Sequence, residues 1–222
     1  MAGLGLMNRR RANQSSPTLE DYTPLSYIEL NGQQVIPTDY YWNPLTTIRM
    51  ECMLVENGNT NATGKNNNIL YSANGDYLFA INHGGGATEF NTLFWWCPKT
   101  YAAGGVLNFR NFSNIKDVRL EISSNLGSKY WLEISSPSGL VGYDASGNMP
   151  VTALEQFYIG GRPSAPYNRS NLRLYRLQFM ENNEVVRDYI PAVFKGRNGV
   201  YELITETFYT SLDNSDVNGV TE

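Results

Sequence analysis

The stretch that most constrains this chain runs from Leu172 to Thr210, LRLYRLQFMENNEVVRDYIPAVFKGRNGVYELITETFYT. Leu172, Leu174, Leu177 and Phe179 supply apolar positions, with Arg173, Tyr175 and Gln178 between them. This near-alternation has the period of a strand. Glu181-Asn182-Asn183-Glu184 is a polar turn, and Val185 to Ile190 resumes the extended pattern. Pro191 has no N–H to give to a ladder, so it is expected to end the second strand or to sit on an edge. Beyond it the sequence predicts an irregular, aromatic-rich return.

The chain from Tyr27 onward reads as short strands at sandwich spacing. Tyr27–Leu30 and Gln33–Ile36 flank the turn signal Asn31-Gly32, and Ile69–Ser72 and Tyr77–Ile81 flank Asn74-Gly75. Thr46–Val55 is a long alternating strand, with Ile48, Met50, Cys52 and Leu54 on one face and Thr47, Arg49, Glu51 and Met53 on the other. Further strands are expected at Thr88–Trp96, Val106–Phe112, Val118–Ser123, Lys129–Ser135, Gln156–Gly160, Leu172–Met180 and Glu184–Ile190. Residues 57–68 form a polar Asn/Gly loop, and a short helical turn is expected near Pro150 to Glu155. Strands without helical crossovers make the expected fold all-β, a two-sheet antiparallel sandwich.

Composition narrows the class. A chain of 222 residues suits one sandwich domain with a sizeable core. Aromatic content is 13%, led by 15 Tyr, and 20 Gly favour strands and turns over helices. A formal net charge of −4 removes the general electrostatic case for nucleic-acid binding. No apolar run approaches the roughly 18 residues of a membrane span. In MAGLGLM the basic residues follow the apolar ones rather than precede them, which is not a secretory pattern, so a reducing cytoplasm is expected. Cys52 and Cys97 lie in apolar extended runs, and two buried free thiols are favoured over a disulfide.

Residues 1–21 are expected to form an extended N-terminal arm, and residues 22–222 the domain with a short C-terminal tail. The arm has no periodic apolar face. Two readings stand for it. It is a disordered tail, or it orders on a partner by burying Leu4, Leu6 and Met7 while Arg9, Arg10 and Arg11 meet acidic groups.

Catalytic chemistry is not legible. Glycoside hydrolysis needs two carboxylates flanking one bond. Glu51 and Glu56 point to opposite faces of a strand. Asp117 and Glu121 can share a face, but read better as solvated charges. His83 is the sole histidine and sits before Gly84-Gly85-Gly86, which is no phosphate loop because no Gly-Lys-Ser/Thr follows. Asp144, Asn148, Asp213 and Asp216 lack calcium-loop spacing. No catalytic residue, metal or cofactor is therefore expected. The aromatics are more open. Tyr41, Trp42, Trp95, Trp96, Trp131 and Tyr143 are candidates for glycan binding or an interface, against the reading of a covered sheet face.

The C-terminal run resembles the end of a concanavalin A-like, laminin G-like jelly-roll family found in tailed phages of gut bacteria and their prophages. Tyr175, Val186, Arg187, Asp188, Pro191, Gly199, Tyr201, Leu203, Phe208 and Tyr209 occupy its motif positions, with Glu202 where the family more often has Asp. Tyr27 to Thr38 is similar to the family's opening, and Phe157 to Arg162 to its middle element. The resemblance spans roughly Tyr22 to Leu212. It implies a jelly-roll sandwich and a non-enzymatic virion structural protein: a capsid decoration, head fibre or tail-associated component. Such a protein would be made in the bacterial host cytoplasm, held to other virion proteins by its arm and oligomeric on the particle, with no membrane or specific nucleic-acid partner. A surface for host glycans is compatible with that role. The alternative is a carbohydrate-binding adhesin module, and a polysaccharide-degrading enzyme is the weakest reading.

Overall fold

A computed structural model describes residues 21–55, 67–74, 77–83, 93–96, 106–108, 119–125, 131–137, 139–145, 156–164 and 169–221. Among the described residues there is no α-helix, and the strands form two antiparallel sheets. In chain order the strands are Thr23–Pro24 (β1), Tyr27–Asn31 (β2), Ile36–Tyr41 (β3), Thr46–Leu54 (β4), Asn67–Asn74 (β5), Tyr77–His83 (β6), Leu93–Trp96 (β7), Val106–Asn108 (β8), Arg119–Asn125 (β9), Trp131–Ser136 (β10), Gly139–Ala145 (β11), Gln156–Ile159 (β12), Asn171–Glu181 (β13), Glu184–Phe194 (β14), Arg197–Glu202 (β15), Thr207–Tyr209 (β16) and Asn218–Val220 (β17). The larger sheet runs β11-β10-β9-β4-β13-β14-β15-β16, with β2 also beside β13, β17 beside β2 and β1 beside β14. The smaller runs β3-β12-β5-β6-β7-β8. This is a two-sheet antiparallel jelly-roll sandwich.

Local chemistry sets the turns. Asn182 and Asn183 take φ of 50° and 68°, and Lys195 and Gly196 take 50° and 76°. Two successive left-handed residues give the turn whose twist matches a hairpin. They therefore join β13 to β14 and β14 to β15 tightly. The aromatic return expected to be irregular is thus regular, because Lys195-Gly196 supplies a turn that the Pro191 break signal obscured. Asn31-Gly32 does not make a hairpin. Its flanking strands β2 and β3 lie in different sheets, and Gly32 (φ 77°) starts a corner between them. The other signal behaves as read, with β5 and β6 paired as far as Asn74↔Tyr77.

Pro191 neither ends β14 nor lies on an outer edge. The strand continues to Phe194, and Pro191 is opposite Val200 of β15. Its carbonyl accepts from Leu25 N at 2.9 Å, on the side away from β15. A residue's N–H and C=O point the same way in an antiparallel ladder. The missing N–H therefore faces the β1 side rather than β15, so the β14–β15 ladder loses no bond.

The core lies between the sheets. Ile48, Met50, Cys52 and Leu54 of β4 face inward as the alternation predicts. On β13, Leu172 and Leu174 are buried, then Leu177 and Phe179. The slip in spacing is a bulge between Leu174 and Arg176 that restores the apolar phase. Phe179 meets the opposite sheet directly, with Tyr40 at 4.2 Å and Phe157 at 5.0 Å between ring centroids. Cys52 is a free buried thiol whose pKa is pushed up to about 12 by desolvation. Cys97, the arm at 1–20 and the helical turn expected near 150–155 lie outside the described residues.

Candidate functional site

On the three central strands of the larger sheet, pairing brings together residues far apart in sequence. Gln178 of β13 is opposite Arg49 of β4, which is opposite Ser123 of β9. One row along, Arg176, Glu51 and Glu121 are opposite one another in the same order. A third row is Arg173, Met53 and Arg119. These positions alternate with the buried ones, so the rows lie on the outward face. Arg49, Glu51, Glu121, Arg176 and Gln178 border an open cavity of about 420 Å³, with Met50 and Ile122.

Two of the side chains are held from behind. Arg176 binds Asp188 of β14 through Nε and Nη2, at 2.8 and 2.5 Å, and Gln178 Nε2 donates to the same carboxylate at 3.0 Å. The hydrogen bond to Asp188 keeps the Arg176 guanidinium charged beyond its ordinary range. Asp188 is fixed in turn: its backbone N–H donates to the fully buried Glu202 at 2.7 Å. Glu202 also accepts from Ile204 N, Thr205 N and Thr205 Oγ1. Asp188 thus has a structural role, with partners on β13. Among the described residues, Arg187 gives a local bond to the Val186 carbonyl, at 2.7 Å.

The bulge sets Tyr175 between the Leu174↔Cys52 and Arg176↔Glu51 pairs. Arg119 lies 4.1 Å from its ring centroid and pairs with Glu51 at 2.9 Å. Arg173 lies 4.8 Å from the Tyr27 ring and pairs with Glu29 at 2.7 Å. Among the described residues, Arg49 and Glu121 engage no partner.

The sequence-derived aromatic candidates do not form one site. Tyr41 is 56% exposed, on edge strand β3 of the smaller sheet. Trp42 is a correction: it is 6% exposed and packs in the main core, the polar-looking loop after it notwithstanding. Trp95 and Trp96 fall on β7 of the smaller sheet. Trp131 and Tyr143 fall on β10 and β11 of the larger one, and Tyr143 shares the register row of Arg49 through Glu133 and Ser123. The side chains of these four, and all of Leu4, Leu6, Met7, Arg9, Arg10 and Arg11, lie outside the described residues. His83 is the last residue of β6.

A second correction concerns carboxylates. The sequence shows no facing pair, yet Glu51 and Glu121 stand directly opposite across β4 and β9. Spacing along one strand cannot reveal a pair built from two. Among the described residues no group of His, Cys, Asp and Glu is placed to hold a metal ion, and no helix is long and apolar enough to cross a membrane.

No protein family and no curated protein matches this chain. Solved structures resemble it at low identity. A homodimeric agglutinin from chicken liver is 10% identical with a TM-score of 0.39, covering 66% of this chain and 98% of its own. The LG1-3 region of the laminin alpha2 chain is 9% identical with a TM-score of 0.44, covering 90% of this chain and 58% of its own. Scytalido-glutamic peptidase is 8% identical with a TM-score of 0.44, covering 86% and 98%. With lectin-like and peptidase chains alike among them, the chemistry here is read from this chain's own side chains.

Proposed function

We propose that this chain is a non-enzymatic recognition protein that binds carbohydrate on the outward face of its larger sheet. The observation that supports this is the pair of facing rows around one open cavity, where guanidinium, carboxylate and amide groups stand side by side. Sugar hydroxyls both donate and accept, so adjacent Arg and Glu side chains suit them, and charged partners make the stronger hydrogen bonds. Asp188 pre-orders Arg176 and Gln178, which reduces the ordering cost of binding. A glycan array with the full chain tests it. Binding should be lost in Arg49→Ala and Glu121→Ala at unchanged melting temperature. An array on which both variants bind as the parent does would move the site elsewhere.

The finer proposal is that the domain is displayed on a virion, anchored by Leu4, Leu6, Met7 and Arg9 to Arg11, as the sequence resemblance suggests. Ordering such an arm costs about 1–2 kcal/mol per residue, which only a partner surface can offset. Deleting residues 2–11 should leave a folded domain that no longer joins particles. Incorporation at full occupancy would place the anchor on the sandwich.

One observation favours a second reading. Directly opposite residues have β-carbons about 4.5–5.5 Å apart, which suits the carboxyl separation of about 5–5.5 Å in retaining glycosidases. Against it, Glu51 is engaged by Arg119 and Glu121 is exposed. Neither has the apolar surroundings that a proton-holding acid needs. Turnover of a polysaccharide, abolished in Glu51→Gln and Glu121→Gln, would establish the enzyme instead.

A further inference from the structure

Resting on the carbohydrate reading, we infer that the cavity selects uncharged glycans and rejects acidic ones such as uronate- or sialate-bearing chains. Arginine-lined sites often invite anions, but here the cations are already committed. Arg176 is held by both oxygens of Asp188, and Arg119 by Glu51 at 2.9 Å. Arg173, beyond the cavity, is held by Glu29 at 2.7 Å. Arg49 is the remaining guanidinium, and Glu121 lies diagonal to it across β4 and β9, where side chains are still within reach. Exposed Glu133 follows in the row of Arg49.

One N–H of Gln178 Nε2 is used by Asp188, which leaves its second N–H and its amide oxygen for a ligand. Glu121 offers only acceptors. A hydroxyl can donate to Glu121 or Gln178 while accepting from Arg49. A ligand carboxylate can only accept: it can take N–H groups of Arg49, Arg176 and Gln178, but it brings a charge against Glu121 and Glu51 and has no donor to offer them. Charge placement of this kind acts chiefly by penalising the wrong partner.

The test is calorimetric titration of the full chain with paired oligosaccharides that differ only in a hydroxymethyl or a carboxylate on the same sugar. Amino-sugar analogues form a third arm. Neutral members should bind roughly tenfold or more tightly than their acidic counterparts. Their affinity should change by less than about twofold between about 50 and 500 mM salt, because no net charge is neutralised. Glu121→Gln should weaken neutral binding and strengthen acidic binding, so that the neutral-to-acidic gap narrows from both sides, while Arg49→Gln should widen it. Preference for the acidic or the amino members, or a gap that Glu121→Gln leaves intact, overturns this inference alone. Absence of binding to every member overturns the carbohydrate reading and this inference with it.

Discussion

Asp188 grips Arg176 with both carboxylate oxygens, Nε to Oδ1 at 2.8 Å and Nη2 to Oδ2 at 2.5 Å, across the β13–β14 pair. The carboxylate is 10% exposed and the guanidinium 48%. The pair therefore stands with its anion inside and its cation at the cavity.

Removing the anion leaves Arg176 and Gln178 Nε2 without their acceptor. Asp188→Ala should lower stability by about 1–3 kcal/mol, the range for orphaning hydrogen-bonded groups. Asp188→Asn, which keeps one acceptor, should lose less. Urea melts of the two variants decide this. Midpoints equal to the parent's would mean that the grip contributes nothing to the fold.

Gly199 sits in β15 where β16 comes close. A β-carbon there would run into the Tyr209 backbone and lie 2.8 Å from Phe208 Cζ. Backbone cannot move aside as a flexible side chain can. Gly199→Ala should cost about 1–3 kcal/mol or more and should loosen β16 first. Hydrogen exchange is the measure, with faster exchange expected at Tyr209 than at Leu177. Unchanged protection of Tyr209 would show that the strand pair absorbs the methyl group.

Much of the fold was legible, and for a physical reason. Alternation on β4 and the two-asparagine turn report local geometry, and both appear as read. What failed was non-local. Asn31-Gly32 has the composition of a hairpin, but its strands are buried against different neighbours. The bulge at Tyr175 is set by pairing with β4, and Lys195-Gly196 was masked by the nearby proline. The candidate site was least legible of all. Gln178, Arg49 and Glu121 meet only because β13, β4 and β9 are adjacent, and no motif records that adjacency.

Trp42 tests the corrected assignment. It is buried in the core, and its indole N–H has no partner among the described residues. Trp42→Ala should cost about 3–5 kcal/mol as an aromatic core deletion. Trp42→Phe should cost well under half as much, because it removes an unpaired N–H along with the volume. Thermal melts of both variants, with glycan binding measured alongside, separate the roles. Binding lost in Trp42→Phe at full stability would return this residue to the ligand site.

Asp213 supplies an acid-side prediction. Ser211 Oγ and Ser215 Oγ each donate to Oδ1 at 2.6 Å, and Ser215 N at 3.0 Å. These bonds, aided by Arg169 at 3.8 Å, hold the carboxyl down at about 2. In the unfolded chain it titrates near the ordinary value of about 3.9. The folded state thus favours the ionised form, and the unfolded state takes up the proton first as pH falls. The resulting stability is fully present above about pH 4 and disappears as pH drops from about 4 through about 2. Asp213→Asn should melt lower than the parent at pH 6. The two curves should approach each other below pH 4 and meet near pH 2. A gap of constant size from pH 6 to pH 2 would mean that the loss comes from the turn's hydrogen bonds alone, not from the charge of Asp213.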